Sequence, residues 1–268
     1  SRERNSIPAP DGERLEMTIP SLALRALPAL LSSAAIFEIW RVHQALARSE
    51  ARLSRIQRES QNLFVQGETL YGLYADLGFR KSLPPTRGWA ASPDFLSVLA
   101  RHVIHARPKV ILECGSGVST VILARTCELN GTGRVYSLEH LPVFAERTRS
   151  ELHRHGLDRH GEIIDAPLTR HSLEGMEWSW YGLQELPPMQ VDMLVIDGPP
   201  DATGPLARYP AGPLLFPHLK PGASVFLDDA HRQDEQDSVA RWLRERPDLV
   251  CNWVPAEKGC AILRTAEA

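Results

Sequence analysis

An apolar run, Val110 to Leu112, leads through Glu113 into a Gly-Ser-Gly turn at residues 115–117 and then into helix-forming residues. A buried strand, a glycine turn and a helix start in this order form a binding corner for a nucleotide-like ligand. The glycines let the backbone approach the ligand, and the helix start presents free N–H groups. A dinucleotide turn has the pattern Gly-x-Gly-x-x-Gly, but Thr120 stands at the third glycine position. The spacing therefore disfavours a nicotinamide-dependent dehydrogenase.

From residue 109 onward, stretches that favour strands alternate with stretches that favour helices, as in a mainly parallel sheet covered on both faces. The predicted strands are 109–113, 134–139, 162–165, 191–197, 223–228, 250–254 and 260–264. The predicted helices are 118–129, 142–156, one that ends near Lys220, and 233–246. A segment with Trp178, Trp180 and Tyr181 is predicted to be irregular, and Pro221-Gly222 to be a turn. We therefore predict an α/β fold: a doubly wound, mainly parallel, seven-stranded Rossmann-like sheet with a C-terminal β-hairpin and an N-terminal helical extension.

Three segments of the chain differ in composition. Residues 1–20 are polar and aperiodic, which predicts a flexible tail. Residues 21–82 favour a helical or coiled-coil segment, and residues 83–268, which begin with a proline-rich loop, favour the α/β domain. Because the chain begins at Ser1 rather than Met, we expect a processed form, or a piece of a longer protein.

A seam of mostly apolar residues runs along the helical segment in alternating steps of three and four. Its residues are Ile39, Val42, Leu46, Ser49, Leu53, Ile56, Ser60 and Leu63. This seam predicts either a long helix packed on its own domain or a short coiled coil that joins copies of the chain into a homo-oligomer. The arginines on the outer face, with the apolar stretch 21–40, leave peripheral contact with an anionic membrane as a third alternative.

The composition of the chain excludes some classes of function. A net charge of −3 over 268 residues gives no drive toward nucleic acid, so we expect no nucleic-acid partner. The four cysteines, Cys114, Cys127, Cys251 and Cys260, show neither a C-x-x-C pair nor zinc-ligand spacing. We therefore expect reduced thiols and a cytoplasmic protein.

Each of the first five predicted strands ends in an acidic residue: Glu113, Glu139, Asp165, Asp197 and the pair Asp228-Asp229. In a doubly wound sheet the ligand lies at the carboxyl ends of the strands, so these side chains should face one cleft. After the second strand, the carboxylate of Glu139 can accept hydrogen bonds from both hydroxyls of a ribose.

The acids after the fourth and fifth strands can converge on one point. Asp197, Asp228 and Asp229 would repel one another there unless a cation joined them, and an octahedral Mg²⁺ would suit three carboxylates. In the alternative, Asp229 caps the next helix and Asp228 pairs with an arginine such as Arg208 or Arg232.

Seven phrases of the chain resemble one branch of the class I S-adenosylmethionine (SAM)-dependent methyltransferases, the bacterial "methyltransferase domain" group. There is also some likeness to metal-dependent sugar O-methyltransferases, in which an acid and an Asp-Asp pair bind the metal. The phrases are Thr-Arg-Gly-Trp-Ala-Ala-Ser-Pro (86–93), Leu-Glu-Cys-Gly-Ser-Gly-Val-Ser-Thr (112–120), Ser-Leu-Glu-His (137–140), Val-Ile-Asp-Gly-Pro-Pro (195–200), Ala-Arg-Tyr-Pro-Ala (207–211), Leu-Asp-Asp-Ala-His-Arg (227–232) and Lys-Gly-Cys-Ala-Ile-Leu-Arg (258–264).

This resemblance implies that residues 83–268 form a methyltransferase domain with SAM as its cofactor. The implied cofactor contacts are Glu113, Gly115, Ser116, Gly117, Ser119, Glu139, His140, Asp165, Ala166 and Asp197. The candidate proton acceptors are Asp197 and His231, since imidazole titrates near neutral pH. Five residues on loops that could face the same opening are candidate acceptor contacts: Arg87, Trp89, Tyr181, Arg208 and Tyr209. Aromatic rings with arginines suit a polyhydroxylated or anionic acceptor.

The sequence thus predicts a SAM-dependent methyltransferase that acts on an oxygen of a hydroxylated small molecule or glycan, with Mg²⁺ as a candidate second cofactor. Two alternatives stay open. One is a metal-free enzyme that methylates nitrogen or a carboxylate. The other is a non-catalytic module of the same fold in a biosynthetic complex, although such a module would have no need of Glu139 or the Asp pair.

Overall fold

The computed structural model describes the backbone of residues 21–265 and the side chains of residues 35–264, so the predicted tail lies outside the described residues. The helices are α1 Ser21–Leu77, α2 Pro93–Ala106, α3 Val118–Asn130, α4 Pro142–His155, α5 Ala211–Leu215 and α6 Gln233–Glu245. The strands are β1 Val110–Cys114, β2 Arg134–Glu139, β3 Gly161–Asp165, β4 Leu168–Leu173, β5 Met176–Tyr181, β6 Val191–Ile196, β7 Leu219–Leu227, β8 Leu249–Val254 and β9 Cys260–Thr265. Single 3-10 turns lie at Asp201–Thr203 and Phe216–His218.

Seven strands form one sheet in the order β3-β2-β1-β6-β7-β9-β8. The two pairs that involve β9 are antiparallel, and the other pairs are parallel. The predicted mainly parallel seven-stranded sheet with a C-terminal hairpin is therefore confirmed. The chain order reverses direction between β1 and β6, and the crevice at such a switch point is where this kind of sheet binds ligands.

Neighbouring residues of the central strands point to opposite faces of the sheet and enter two separate apolar cores. Ile111 of β1 and Phe226 of β7 belong to one core, which also contains residues of α2 and α3. Leu112 and Leu227, one position further along each strand, belong to the other core with Trp242 of α6. The sheet is thus buried on both faces, which explains why its strands read as continuous apolar runs.

Two regions differ from the sequence prediction. The segment with Trp178, Trp180 and Tyr181 is β5, which pairs with β4 as a separate antiparallel hairpin. Its aromatic side chains favour a strand. The sequence analysis did not predict β4, the strand with which this segment pairs, and therefore took the segment as irregular. The pair Pro221-Gly222 lies within β7 rather than in a turn before it, and the pairing register with β6 shifts at this point. The helix predicted to end near Lys220 is only the short α5.

The chain divides into two units after residue 60, within the bounds of α1. In the first unit the apolar side chains of the predicted seam are more than half exposed: Ile39, Val42, Leu46, Leu53 and Ile56. In the second unit Gln66, Leu73 and Leu77 are buried. Among the described residues, no helix is both long and apolar enough to cross a membrane.

The carboxylate of Asp94 joins three elements of the second unit. It accepts hydrogen bonds from Gln66 Nε2 of α1 at 2.8 Å, from Ser92 Oγ at 2.6 Å and from the Phe95 N–H of α2 at 2.8 Å. It also accepts the N–H of Glu257, in the loop between β8 and β9, at 2.7 Å. The start of α2 is thereby tied both to α1 and to the C-terminal hairpin.

Replacement of this carboxylate, Asp94→Ala, should lower the free energy of unfolding by about 2 kcal/mol, because two N–H groups and a buried amide lose their acceptor. Urea denaturation followed by circular dichroism measures the change. Asp158→Ala is the matched control, because that carboxylate is exposed and its only polar contact among the described residues is with His153. Equal urea midpoints for the two variants would show that the hydrogen bonds of Asp94 do not stabilise the fold.

Candidate active site

A cavity of about 360 Å³ opens at the carboxyl ends of β1, β2 and β6, within the size range of small-molecule sites. Its lining comprises the glycine turn, the end of β2, one face of α4, the end of β6 and a covering loop. The residues are Pro84, Pro85, Arg87, Trp89, Ala90, Gly115, Ser116, Gly117, Val118, Glu139, His140, Leu141, Phe144, Arg147, Thr148, Glu151, Tyr181, Asp197, Gly198 and Pro200. The predicted glycine turn and two of the predicted acids therefore share one cleft.

The glycine turn is held from beneath by a buried chain of hydrogen bonds. The Gly117 N–H donates to Thr120 Oγ1 at 3.0 Å, and the Thr120 hydroxyl donates to Glu113 Oε2 at 2.6 Å. The Ser137 hydroxyl donates to the same oxygen. Gly115 has a left-handed φ of 92°, and a Cβ there would lie 3.2 Å from the Asp197 carbonyl oxygen. Thr120, at the position of the missing third glycine, thus closes the turn.

Glu113 is fully buried and does not line the cavity. The sequence analysis listed this acid among the cofactor contacts, and the structure places it under the glycine turn. Burial raises the pKa of Glu113 to about 7, against the opposing effect of hydrogen bonds from the hydroxyls of Ser119, Ser137 and Thr120. Glu113 and Ser119 therefore act on the shape of the turn from below.

Glu139 ends β2 and faces the cavity with its side chain 5% exposed. Its Oε2 accepts the Ser116 N–H at 3.1 Å and the Ser116 hydroxyl at 3.0 Å, and its Oε1 accepts the Leu141 N–H at 3.0 Å. The His140 ring nitrogen Nδ1 lies 3.2 Å from Oε1. Burial opposes ionisation, but His140 and these donors outweigh it and lower the pKa of Glu139. The cleft thus presents an ionised acceptor beside the glycine turn.

Asp165 and Ala166, predicted to contact a cofactor, lie outside the cavity lining. Asp165 is exposed and pairs with Arg149 at 2.8 Å. Ala166 is fully buried, and its N–H donates to the Glu139 carbonyl oxygen at 2.7 Å. Ser119 is also buried outside the lining.

One face of α4 contributes lining residues that the sequence analysis missed: Phe144, Arg147, Thr148 and Glu151. They recur in steps of three, one and three, which is the spacing of neighbours on one helix face. That periodicity was available in the sequence, but nothing in it distinguished a helix face turned to a cleft from one turned to solvent.

The covering loop is anchored to the C-terminal hairpin. Arg87 Nη2 lies 2.6 Å from Glu257 Oε1, and Arg87 Nε lies 2.9 Å from Oε2. Lys258 Nζ donates to the Ala90 carbonyl oxygen at 3.0 Å. Trp89 lines the cavity with 88% of its surface exposed. The predicted acceptor contacts Arg87 and Trp89 therefore both lie at the opening of the cleft.

The two candidate tyrosines have different positions. Tyr181 lines the cavity, and a Cβ on Gly198 would lie 2.2 Å from its hydroxyl oxygen. Burial raises the pKa of Tyr181 well above its ordinary value, so the phenol stays protonated and can donate a hydrogen bond. Tyr209 lies outside the lining, where its hydroxyl donates to Glu245 at 2.8 Å and the Arg241 guanidinium lies 3.9 Å from its ring centre.

Asp197, Asp228 and Asp229 converge as predicted, with carboxylate oxygens within 4.8 Å of one another. Only Asp197 lines the cavity. Desolvation and the nearby Asp228 raise the pKa of Asp197 well above its ordinary value. Desolvation and Asp229 raise the pKa of Asp228 to about 6.

Cations already accompany these acids. Arg208 Nη2 lies 2.6 Å from Asp229 Oδ2, Arg232 Nη1 lies 3.1 Å from the same oxygen, and Lys258 Nζ lies 3.7 Å from Asp229 Oδ1. Magnesium takes six oxygen ligands at about 2.1 Å, and a cation that already contacts the same carboxylates repels it. The donor set does not fit Mg²⁺, because a buried guanidinium lies among the acids. The alternative predicted an arginine paired with Asp228, whereas Arg208 and Arg232 pair with Asp229, and Arg208 contacts Asp228 through its carbonyl oxygen.

His231 lies outside the cavity lining and is exposed. Its N–H donates to the Lys258 carbonyl oxygen at 2.9 Å, and its ring lies against Gly259, where a Cβ would be 2.6 Å from the ring. Of the two candidate proton acceptors, the structure thus places only Asp197 in the cleft.

Residues 112–230 match the family described as "Methyltransferase domain". This span begins within β1, just before the glycine turn, and ends one residue after Asp229. The match identifies residues 112–230 as a methyltransferase domain, in agreement with the predicted class I SAM-dependent methyltransferase. No curated protein matches this methyltransferase at the level of sequence.

Solved methyltransferases share the fold. An SAH-bound methyltransferase from Podospora anserina is 14% identical, with a TM-score of 0.52 over 74% of this chain and 88% of its own. An O-methyltransferase from Bacillus cereus in complex with SAH is 19% identical, with a TM-score of 0.51 over 78% and 97%. A Streptomyces achromogenes O-methyltransferase of tomaymycin synthesis, in complex with SAM, is 17% identical, with a TM-score of 0.50 over 77% and 96%.

The buried Glu113 of the methyltransferase domain should give its stability a distinct pH dependence. Its pKa is about 7 in the folded chain against 4.5 ordinarily, so the folded chain holds a proton that the unfolded chain releases between these values. The unfolding free energy should therefore fall as the pH rises through this window, by about 3 kcal/mol from this group. Glu113→Gln, which resembles the neutral acid, should lack that fall. Denaturant titrations of both proteins at pH ~5 and ~8 measure it, and parallel changes in the two proteins would contradict it.

Proposed function

We propose that this methyltransferase binds SAM against the glycine turn and transfers its methyl group to an oxygen of a hydroxylated small molecule or glycan. The proposal rests on two acids that line the same cleft. Glu139 is ionised beside the glycine turn, and Asp197 has a raised pKa. Two solved structures of the same fold are described as O-methyltransferases, and they hold SAH or SAM.

In the proposed cofactor site, Gly115, Ser116 and Gly117 let the ligand approach the backbone, and Glu139 accepts the hydroxyls of its ribose. His140 lies beside the Glu139 carboxylate and lines the same wall. A bound SAM supplies an electrophilic methyl group. The buried Glu113 holds the turn in the shape that this binding needs.

The proposed catalytic residue is Asp197, whose carboxylate accepts the proton of the acceptor hydroxyl. Its raised pKa makes the ionised Asp197 a stronger base than an ordinary aspartate. The protonated hydroxyl of Tyr181 is a hydrogen-bond donor on the same wall. Arg87 and Trp89, at the opening, contact the acceptor in this proposal. No magnesium ion is part of the proposed reaction, because the donor set does not fit one.

We also propose that the exposed seam of α1 serves self-association, since its apolar side chains are more than half exposed along residues 39–56. Peripheral membrane contact is the less favoured use of the same helix. A cytoplasmic location stays a prediction from the cysteine pattern.

Glu139→Gln should weaken SAM binding by about 10- to 100-fold, because two charge-assisted hydrogen bonds to the ribose are lost with the negative charge. Isothermal calorimetry with SAM and with SAH measures the dissociation constants. Glu162→Gln, on the exposed end of the neighbouring β3, removes an equal charge that pairs with Arg134 instead. The proposed cofactor site is wrong if Glu139→Gln and Glu162→Gln bind SAM equally well.

Asp197→Asn should lower kcat by about 10²- to 10⁴-fold and change SAM affinity far less, because it removes the proton acceptor and keeps the shape. An acceptor for this assay comes from screening hydroxylated compounds for labelled methyl transfer. In the wild-type protein the rate should rise with pH as Asp197 loses its proton, at a pH above the ordinary range of an aspartate. A wild-type-like kcat for the variant would exclude Asp197 as the acceptor of the proton.

A further inference from the structure

We propose that Arg208 is the permanent cation of the acid cluster, in the place where the sequence predicts Mg²⁺, and that methyl transfer in this chain needs no metal. This inference rests on the proposed function for its catalytic part only. Its structural part, a cluster neutralised by the chain's own side chains, concerns ion binding and stands apart from activity.

The guanidinium of Arg208 is held in a fixed position. The residue lies between the 3-10 turn at Asp201–Thr203 and α5, and its side chain is 4% exposed. The next residue, Tyr209, accepts a hydrogen bond from Trp242 Nε1 on its carbonyl oxygen at 2.9 Å. Gly212 lies so close to this indole that a Cβ would be 2.2 Å from its nitrogen. Packing against α6 therefore fixes the backbone from which Arg208 extends.

The guanidinium bridges the ends of β6 and β7. Nη2 lies 2.6 Å from Asp229 Oδ2 and 3.4 Å from Asp197 Oδ1, while Nη1 donates to the Asp228 carbonyl oxygen at 2.8 Å. Nε lies 3.6 Å from Glu235 Oε1. A rigid planar fork suits such multiple contacts, and arginine keeps its charge when it is buried.

The charge of the cluster is nearly balanced without an ion. Four carboxyl groups, those of Asp197, Asp228, Asp229 and Glu235, lie within 4.0 Å of at least one of three cations, Arg208, Arg232 and Lys258. A divalent ion added to them would bring an excess of positive charge into a buried region, at a large cost in desolvation.

This arrangement also orients the proposed proton acceptor. Arg208 binds Asp229 and the backbone of Asp228, and it contacts Asp197 through Oδ1. Asp197 is the one member of the acid cluster that lines the cavity. Arg208 is therefore a positioning residue, which holds Asp197 toward the acceptor without touching the acceptor itself.

The test uses Mn²⁺ as the probe, followed by electron paramagnetic resonance of the intact chain. The wild-type protein should not bind Mn²⁺ at millimolar concentration, and its methyl transfer should be unchanged by EDTA. Arg208→Met removes the cation and leaves three converging carboxylates, so it should gain one Mn²⁺ site, which a further Asp228→Asn change should abolish. Arg208→Lys keeps a positive charge and should stay free of Mn²⁺. Arg149→Met, far from the cluster on α4, is the matched control and should behave as wild type.

The outcomes separate this inference from the proposed function. Specific Mn²⁺ binding by the wild-type protein that is lost in Asp228→Asn would overturn it, and so would a folded Arg208→Met variant with no Mn²⁺ site. Circular dichroism establishes folding; if Arg208→Met does not fold, the wild-type and Arg208→Lys titrations decide. In the same samples, calorimetry with SAM tests the proposed cofactor site. Loss of SAM binding with an unchanged Mn²⁺ result would count against the proposed function alone.

Discussion

The cleft depends on main-chain hydrogen bonds that continue the sheet one residue past the ends of its strands. The Gly115 N–H donates to the Leu138 carbonyl oxygen at 2.9 Å, and the Asp197 N–H donates to the Cys114 carbonyl oxygen at 3.0 Å. The Asp228 N–H donates to the Ile196 carbonyl oxygen at 3.1 Å. These bonds align the ends of four parallel strands, so residues far apart in the chain emerge at one edge. The close approach of Gly115 to Asp197 is a consequence, and it explains why a side chain at position 115 would be crowded.

The same edge gives its acids opposite electrostatic states. His140 and donors from the glycine turn surround Glu139 and lower its pKa, whereas burial and the neighbouring carboxylate of Asp228 raise the pKa of Asp197. Donors favour the ionised form, while burial and like charge disfavour it. One acid is thereby suited to accept hydrogen bonds permanently and the other to exchange a proton. This division agrees with a cleft that holds a ligand on one side and reacts on the other.

The features predicted from the sequence are those that follow from chain order. Strand ends in a parallel sheet meet at one edge whatever the packing, so the convergence of Asp197, Asp228 and Asp229 could be predicted without any distance. Features that depend on contacts between distant segments of the chain could not be predicted from the sequence. Glu113 lies under the turn because Thr120 and Ser137 meet it there, and Asp165 turns outward to Arg149.

The role of Arg208 shows the same limit. An arginine in an irregular segment carries no periodic signal, and its burial depends on α6, where Trp242 packs against the backbone that follows it. The sequence analysis listed it both as a partner of Asp228 and as an acceptor contact. The structure separates these two roles: Arg208 contacts the acid cluster and does not line the cavity, so it is not placed to contact an acceptor.

The loop over the cleft shows how the opening is linked to the rest of the domain. Arg87 and Gly88 both have left-handed φ values, 69° and 65°. For arginine this conformation is unfavourable by about 1 kcal/mol, so other contacts must hold it. The paired hydrogen bonds to Glu257 supply that contact, and the N–H of Glu257 is in turn bound by Asp94.

Lys258, the next residue, contacts both the loop carbonyl of Ala90 and the carboxylate of Asp229. Lys258 therefore links the loop over the cleft directly to the acid cluster. Two adjacent side chains of the C-terminal hairpin, Glu257 and Lys258, thus hold the loop in place, and Lys258 also contributes a positive charge to the acid cluster.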